Sequence, residues 1–282
     1  MKRVSLCSLF SVLALGTFSL EDEPSKQREV ELIYLANEGF LVRSEDESFV
    51  IDAFLETPLG AYAALPSEVH ADLAAARGPF EGVDLALVSH VHPDHFQPAS
   101  ARAFLASSKD TQLATSPQVL ESLETVLGED EEADTIRARL HSFLPVAGER
   151  LDFEHEGIEI EFLRLPHAGN RPNIQNLGHL VRFAGLTLLH VGDAEGDVAV
   201  FETYELDRVE IDVALLPYWY WRSPAGQKLV REELNADTLV AVHVPPREVG
   251  DTVALLAEGE YDVHVFRTAL QTLVLGTESH GH

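Results

Sequence analysis

Hydrophobic residues recur along this chain with two periods, one typical of strands and one typical of helices. Short apolar runs bounded by turn residues predict strands at residues 30–35, 39–43, 48–53, 83–88, 112–115, 151–153, 158–165, 177–183, 186–191, 211–216, 238–243, 263–266 and 270–275. Amphipathic runs predict helices at residues 65–77, 98–107, 117–127, 227–234 and 252–257. This order of elements predicts two sheets flanked by helices.

The strand predicted at residues 83–88 is followed by a cluster of polar side chains: His90, His92, Asp94 and His95. Imidazole nitrogens and carboxylate oxygens together suit a borderline cation such as Zn²⁺. His90 and His92 can point the same way, because side chains alternate along an extended backbone. Asp94 and His95 then turn toward a neighbouring point, so one loop can supply ligands to two adjacent metals.

Three later strands also end in a side chain that can bind a metal, namely His167, Asp193 and His243. Two sheets flanked by helices can gather such strand ends at one edge. The pattern therefore predicts one centre assembled from distant parts of the chain.

The motif His90-x-His92-x-Asp94-His95 resembles the signature of the metallo-β-lactamase-fold superfamily. The surrounding residues resemble its lactonase-like and phospholipase-D-like hydrolase branch. The resemblance implies an α/β (α+β) fold, a four-layer αββα sandwich formed by a single domain over residues 20–282. It also implies an enzyme, a metal-dependent hydrolase.

The same resemblance implies a ligand set for two divalent metal ions, with zinc the expected metal. The first metal would be held by His90, His92 and His167, the second by Asp94, His95 and His243, and Asp193 would bridge them. A hydroxide shared by the metals would attack an ester, lactone or phosphodiester substrate, with Asp94 and Asp193 as catalytic residues.

Three further polar residues lie in or after apolar strands. In the family, an aspartate at the position of Asp52 holds the metal loop through hydrogen bonds; its alternative role is an ordinary turn residue. His190 either supports a ligand from behind or faces the substrate. His179 is expected to be a hydrogen-bonded structural residue.

Four consecutive aromatic residues follow the strand predicted at residues 211–216: Tyr218, Trp219, Tyr220 and Trp221. Consecutive side chains diverge, so they cannot all face one core. They are predicted to form a substrate-binding wall suited to an acyl chain or a ring. Packing in the core with partial exposure is the alternative.

Two other functions fit the same scaffold. One is a persulfide dioxygenase-like oxidoreductase with a single iron, although such enzymes usually lack the second set of ligands. The other is a non-catalytic binding protein, which the intact ligand set disfavours. The only cysteine, Cys7, lies in the leader, so the cysteine ligand of the zinc β-lactamases is missing.

The net charge of -27 limits the partners. Nucleic acids and anionic lipid surfaces both attract basic proteins, so neither is expected to bind here. A small-molecule substrate is the expected partner.

The N-terminus has the layout of a signal peptide. Lys2 and Arg3 precede an apolar run, and the small residues Thr17 and Ser19 precede an acidic stretch. We expect a signal peptide at residues 1–19, a secreted or periplasmic protein, and no stable membrane association after cleavage. An uncleaved anchor and a buried first element are the alternatives.

We predict that the exported protein lacks residues 1–19, because signal peptidase cleaves after such a charged, apolar and small-residue sequence. Intact mass spectrometry of exported material would check this. Exported material that still begins at Met1 would contradict cleavage.

Overall fold

The computed structural model describes residues 29–259 and 261–276. The predicted signal peptide at residues 1–19 lies outside them. Fourteen strands follow one another along the described chain: β1 (Glu29–Ala36), β2 (Gly39–Arg43), β3 (Ser48–Ile51), β4 (Leu85–Leu87), β5 (Gln112–Thr115), β6 (Leu140–Ser142), β7 (Arg150–His155), β8 (Ile158–Arg164), β9 (Leu177–Phe183), β10 (Leu186–His190), β11 (Ile211–Pro217), β12 (Ala236–Val242), β13 (Val263–Val265) and β14 (Thr272–Gly276).

Two seven-stranded mixed sheets contain all of these strands. The first has the order β14-β1-β2-β3-β4-β5-β6, and the second has the order β13-β12-β11-β10-β9-β8-β7. Pairing is antiparallel from β14 to β3 and from β7 to β10. It is parallel from β3 to β6 and from β10 to β13.

Parallel strands need long crossover connections, and helices supply them here. The described α-helices are α1 (Ser67–Ala74), α2 (Pro98–Ser107), α3 (Pro117–Glu124), α4 (Glu131–Arg137), α5 (Val198–Glu202), α6 (Pro224–Glu232) and α7 (Val249–Glu258). Short 3₁₀ helices span Gly78–Phe80, Leu206–Arg208, Tyr218–Arg222 and Pro246–Glu248. Helices α1 to α4 connect strands of the first sheet, and α5 to α7 connect strands of the second.

Apolar residues fill three layers between these elements. The central layer joins the two sheets, and Phe49 of β3 meets Phe183 of β9 there with ring centroids 5.3 Å apart. The outer layers pack each sheet against its own helices. Each fully buried phenylalanine stabilises the fold by about 1.5–3 kcal/mol relative to an exposed one. The result is the four-layer αββα sandwich that the sequence predicts.

The parallel arrangement also positions the polar strand ends. Strands β3, β4, β10, β11 and β12 run the same way within their sheets, so their carboxyl ends meet at one edge of the sandwich. Open sheets of this type bind ligands at that edge. No helix among the described residues is long and apolar enough to span a membrane.

Candidate metal centre

Seven side chains from four separate loops converge at this edge. The loop between β4 and α2 carries four of them, and the segments after β8, β10 and β12 carry one each. Two groups form whose ligand atoms lie within 4.8 Å of one another. We name the group of His90, His92, His167 and Asp193 the His90 half-site. We name the group of Asp94, His95 and His243 with Asp193 the His95 half-site.

The His90 half-site brings three imidazole nitrogens together. The Nδ1 atom of His92 lies 3.0 Å from the Nε2 atoms of both His90 and His167. The Asp193 Oδ2 atom lies 3.3 Å from His167 Nε2 and 3.8 Å from His90 Nε2. Four ligands at tetrahedral positions around Zn²⁺ lie roughly 3.3 Å from one another, so these atoms fit a common cation.

The His95 half-site has similar spacing. The His243 Nε2 atom lies 3.1 Å from His95 Nε2 and 3.4 Å from Asp94 Oδ2. The Asp193 Oδ1 atom lies 3.1 Å from His243 Nε2 and 3.2 Å from His95 Nε2, yet it accepts no hydrogen bond within the described chain. A buried oxygen of this kind needs a partner, and a cation shared by these nitrogens would be one. Divalent cations therefore fit both half-sites.

The opposite ring nitrogens of three histidines are held by neighbouring groups. His95 Nδ1 lies 2.8 Å from Asp52 Oδ2, His90 Nδ1 lies 3.0 Å from the Ser89 hydroxyl, and His167 Nδ1 lies 2.6 Å from the Ala168 carbonyl. Partners of this kind fix the tautomer and orientation of a metal-binding histidine. His243 differs, because its Nδ1 atom is buried without such a partner within the described chain.

Asp52 links β3 to the metal loop. Its Oδ1 atom accepts a hydrogen bond of 2.7 Å from the Ser89 amide, and its Oδ2 atom accepts one of 2.5 Å from the Ser89 hydroxyl. Ser89 and His95 lie at opposite ends of the loop, so one carboxylate holds both ends. These are the hydrogen bonds to the metal loop that the resemblance implied for this position, and an ordinary turn residue would not make them.

Asn176 performs a similar task on the second sheet, and no sequence motif predicts this role. Its Nδ2 atom donates to the carbonyls of Leu165 and Val191, and its Oδ1 atom accepts from the Asp193 amide. Gly192 makes this contact sterically possible, because it has a φ of +56° and a Cβ there would lie 2.5 Å from Asn176 Oδ1. The asparagine thus positions Asp193 against the strand end that leads to His167.

The two half-sites differ in their protonation. Burial lowers the pKa of His90 well below its ordinary value and that of His92 to about 4, so both rings are neutral at pH 7. Burial acts the same way on His95 and His243, but neighbouring carboxylates outweigh it: Asp193 and Asp52 at His95, and Asp193, Asp94 and Glu38 at His243. The pKa of His95 is raised well above its ordinary value and that of His243 to about 9. A cation entering the His95 half-site must therefore displace protons.

The turn between β1 and β2 also enters the centre, although the sequence shows only a short polar turn there. Asn37 Nδ2 donates to the Asp94 carbonyl at 2.7 Å, and the Asn37 carbonyl accepts from the His243 amide at 3.3 Å. Glu38 is fully buried, and burial raises the pKa of its carboxyl group to about 8. A hairpin turn carries no signal for contacts this distant in sequence.

His190 lies behind the centre. Its Nε2 atom is 3.2 Å from the Glu38 carbonyl and 3.9 Å from Asp52 Oδ2, and the ring is fully buried. It therefore supports the turn and does not line the cavity. The prediction for His179 was wrong in one respect: this buried ring has no hydrogen-bond partner within the described chain. Burial accordingly lowers the pKa of His179 to about 3.

Of the four consecutive aromatic residues, Tyr218 and Trp219 are half-buried, whereas Tyr220 and Trp221 are fully buried. They form a 3₁₀ helix, in which successive side chains point in different directions. Trp219 is half-buried beside His243, with ring centroids 5.2 Å apart. Tyr220 and Trp221 are instead buried in the core beneath α6, at 0% and 1% exposure, so their predicted place in the substrate wall needs correction.

A cavity of about 480 Å³ opens over both half-sites. Leu59, Tyr62 and Trp219 form an apolar side, and Arg171 and Glu195 lie at its rim. The Arg171 guanidinium makes no ion pair within the described chain. The pKa of His92 is lowered first by burial, then by His167 and by the positive charge of Arg171. Tyr218 is half-buried and does not line this cavity; Arg222 stacks on its ring at 4.6 Å.

Comparisons with known proteins agree with this architecture. A family model described as the beta-lactamase superfamily domain matches residues 48–261. A metallo hydrolase from the hyperthermophilic archaeon Ignicoccus hospitalis is 16% identical over 89% of this chain and 100% of its own, with a TM-score of 0.57. The isothiocyanate hydrolase from Delia radicum gut bacteria is 15% identical over 88% of this chain and 100% of its own, with a TM-score of 0.58.

A third similar structure is CmlA, a diiron β-hydroxylase from Streptomyces venezuelae. It is 14% identical over 90% of this chain and 55% of its own, with a TM-score of 0.57. Identities this low show a common fold and nothing finer. No curated protein sequence matches this chain.

We predict that Asp193→Asn lowers both the metal content and turnover, the latter by about 100-fold or more, while the fold stays intact. The amide would carry no charge to offset that of bound cations, and even changes behind the ligands of a metal cost about 10–100-fold. Metal analysis, circular dichroism and a hydrolysis assay would check this. Asp207→Asn, at an exposed site, is the control. Parental turnover by metal-loaded Asp193→Asn would show that Asp193 is not the bridge.

Proposed function

We propose that this chain, which belongs to the beta-lactamase superfamily, is a dinuclear metal-dependent hydrolase acting on an ester, lactone or phosphodiester. One observation carries the proposal. Seven metal-competent side chains from four loops form two adjoining groups. Asp193 contacts both, with Oδ2 3.3 Å from His167 Nε2 and Oδ1 3.1 Å from His243 Nε2. The match to the family model and the sandwich fold confirm the superfamily that the motif at residues 90–95 resembles.

The proposed chemistry follows from the divalent metal ions that these residues can bind. Bound divalent ions lower the pKa of a water molecule and polarise the oxygen of the bond to be broken. The residues of the chain keep this environment rigid. Asp52 orients His95, Asn176 orients Asp193, and Ser89 contacts His90. No serine or cysteine nucleophile is needed.

Zinc is the metal we propose for the His90 half-site, because three neutral imidazoles and one carboxylate are typical zinc ligands. Both half-sites have a full set of ligands. This favours two metals over the single iron of a persulfide dioxygenase-like oxidoreductase, and it favours an enzyme over a binding protein.

The cavity indicates the kind of substrate. Leu59, Tyr62 and Trp219 offer an apolar surface beside the metal ligands, which suits an acyl chain or a ring. Arg171 lies at the rim and makes no ion pair within the described residues, so it adds one position where a carboxylate or phosphate oxygen would be stabilised. We therefore propose a small substrate with an apolar group, and this includes esters that carry one negative charge.

We also propose that the protein acts outside the cytoplasm, in the periplasm or as a secreted enzyme. The charged and apolar leader of residues 1–19 supports export, and the net charge of -27 disfavours binding to nucleic acids and to anionic membranes.

A substrate panel on the metal-loaded, full-length protein would test the proposal. We expect hydrolysis of aryl or acyl esters, lactones or phosphodiesters, lost on chelation and restored by Zn²⁺. Matched esters with and without a carboxylate would test the contribution of Arg171. Metal analysis runs in parallel: two ions per chain agree with the proposal, whereas a single redox-active iron would indicate an oxidoreductase and no metal would indicate a binding protein.

We predict opposite effects for alanine at the two tryptophans. Trp219→Ala removes a cavity wall, so it should raise KM or change specificity with little change in the melting temperature. Trp221→Ala removes a fully buried ring, so it should lower the free energy of unfolding by about 3–5 kcal/mol. Steady-state kinetics and thermal unfolding of both variants would check this. Strong destabilisation by Trp219→Ala with unchanged kinetics would contradict the assignment.

A further inference from the structure

Glu38 is a buried acid without a visible partner. Its side chain is 0% exposed, and neither carboxylate oxygen has a hydrogen-bond partner within the described chain. No lysine or arginine there pairs with it, and the ion-pair distance that it does make is 3.5 Å, between its Oε2 atom and His190 Nε2. A buried carboxyl group is costly unless it is paired or coordinates a metal, so this position calls for a ligand.

The carboxylate is aimed at the His95 half-site. One oxygen atom of Glu38 lies within 4.8 Å of the ligand atoms of Asp193 and His243, and one lies within 4.8 Å of those of Asp52 and His95. Asp52 and Asp193 are themselves carboxylates, so they would repel a lone ionised Glu38. A cation among these oxygens would turn the repulsion into coordination.

The backbone holds Glu38 in this position. The Asn37 side chain donates to the Asp94 carbonyl at 2.7 Å, and the Asn37 carbonyl accepts from the His243 amide at 3.3 Å. Gly39 packs so closely that a Cβ there would lie 2.6 Å from the Asp52 carbonyl oxygen. The turn is therefore fixed to the same loops that carry the other ligands, and Glu38 cannot turn outward without breaking these contacts.

We propose that Glu38 is an additional carboxylate ligand of the cation in the His95 half-site, an inference that rests on the metal centre of the proposed function. With it, this half-site offers two imidazoles and three carboxylates, whereas the His90 half-site offers three imidazoles and one carboxylate. Carboxylate-rich sets suit Mn²⁺, and two histidines with a carboxylate suit Fe²⁺, whereas imidazole-rich tetrahedral sets suit Zn²⁺. The His95 half-site is thus selective for a cation of higher coordination number.

Glu38→Gln tests this, because glutamine keeps the size of the side chain and removes its charge. The full-length protein would be stripped with a chelator and titrated separately with Mn²⁺ and Zn²⁺, following bound metal by elemental analysis and Mn²⁺ by electron paramagnetic resonance. Glu195→Gln is the matched control, because Glu195 lies at the cavity rim, is exposed and donates no atom to either half-site. Circular dichroism would verify that each variant is folded.

The parent protein should bind two ions per chain in the Zn²⁺ titration, and it should bind Mn²⁺ at one position in the Mn²⁺ titration. Glu38→Gln should keep one tight ion and bind the second about 10–100-fold more weakly, with a larger loss for Mn²⁺ than for Zn²⁺. Glu195→Gln should bind like the parent. If Glu38→Gln does not fold, Glu38→Asp replaces it, and the shorter acid should show the same selective loss of the second ion.

Unchanged stoichiometry and Mn²⁺ affinity in a folded Glu38 variant would overturn the assignment and leave Glu38 as a protonated core acid. That result would not affect the hydrolase proposal, which requires only that the parent binds metal and hydrolyses substrate. Conversely, two bound metals without any hydrolysis would reject the proposed function and leave the role of Glu38 to be judged on metal binding alone. A parent protein that binds no metal would reject both.

Discussion

The Asp52 carboxylate makes the interaction on which the rest of the centre depends. It is fully buried, and it is held by Ser89 and His95, residues at the two ends of the loop that follows β4. Burial alone would raise its pKa, but the hydrogen bond and charge of His95, with smaller contributions from His190 and Ser89, lower it. An ionised Asp52 thus couples the end of β3 to the shape of the metal loop.

The two sheets contribute to the centre in different ways. The first sheet supplies one dense loop with four ligands, and its position is set by Asp52. The second sheet supplies three isolated ligands on three separate segments, and Asn176 connects the segments that lead to His167 and Asp193. Each sheet therefore has one buried polar residue that fixes backbone positions, and Asp193 is the point where the two contributions meet.

Much of this could be predicted from the sequence. The pattern of the apolar residues located most strands and helices, because the inner strands of each sheet are buried on both faces and the helices on one. The short strand β6 and the short helices α4 and α5 were missed, since segments of this length have little periodic signal. The ligand set came from residue types at strand ends together with a family resemblance.

The residues that the sequence did not reveal act through contacts that are distant along the chain. Asn37 and Glu38 occupy a turn whose composition is ordinary for a hairpin, and Asn176 has no motif around it. The directions of Tyr220 and Trp221 depend on a 3₁₀ turn that hydrophobic patterning does not specify. His179 shows the same limit. Its burial could be inferred from its strand, but its lack of a hydrogen-bond partner among residues 29–259 and 261–276 could not.

The pairing of β14 with β1 has a consequence for how the protein is made. The last described strand completes the sheet that the first described strand begins, so β1 has an uncovered edge until β14 has been synthesised. His243 also emerges late, long after the loop that carries His90. The first sheet and the ligand set are therefore both complete only after β14 has been synthesised. The metal supply of the compartment in which this chain folds therefore determines which metal ions its centre binds.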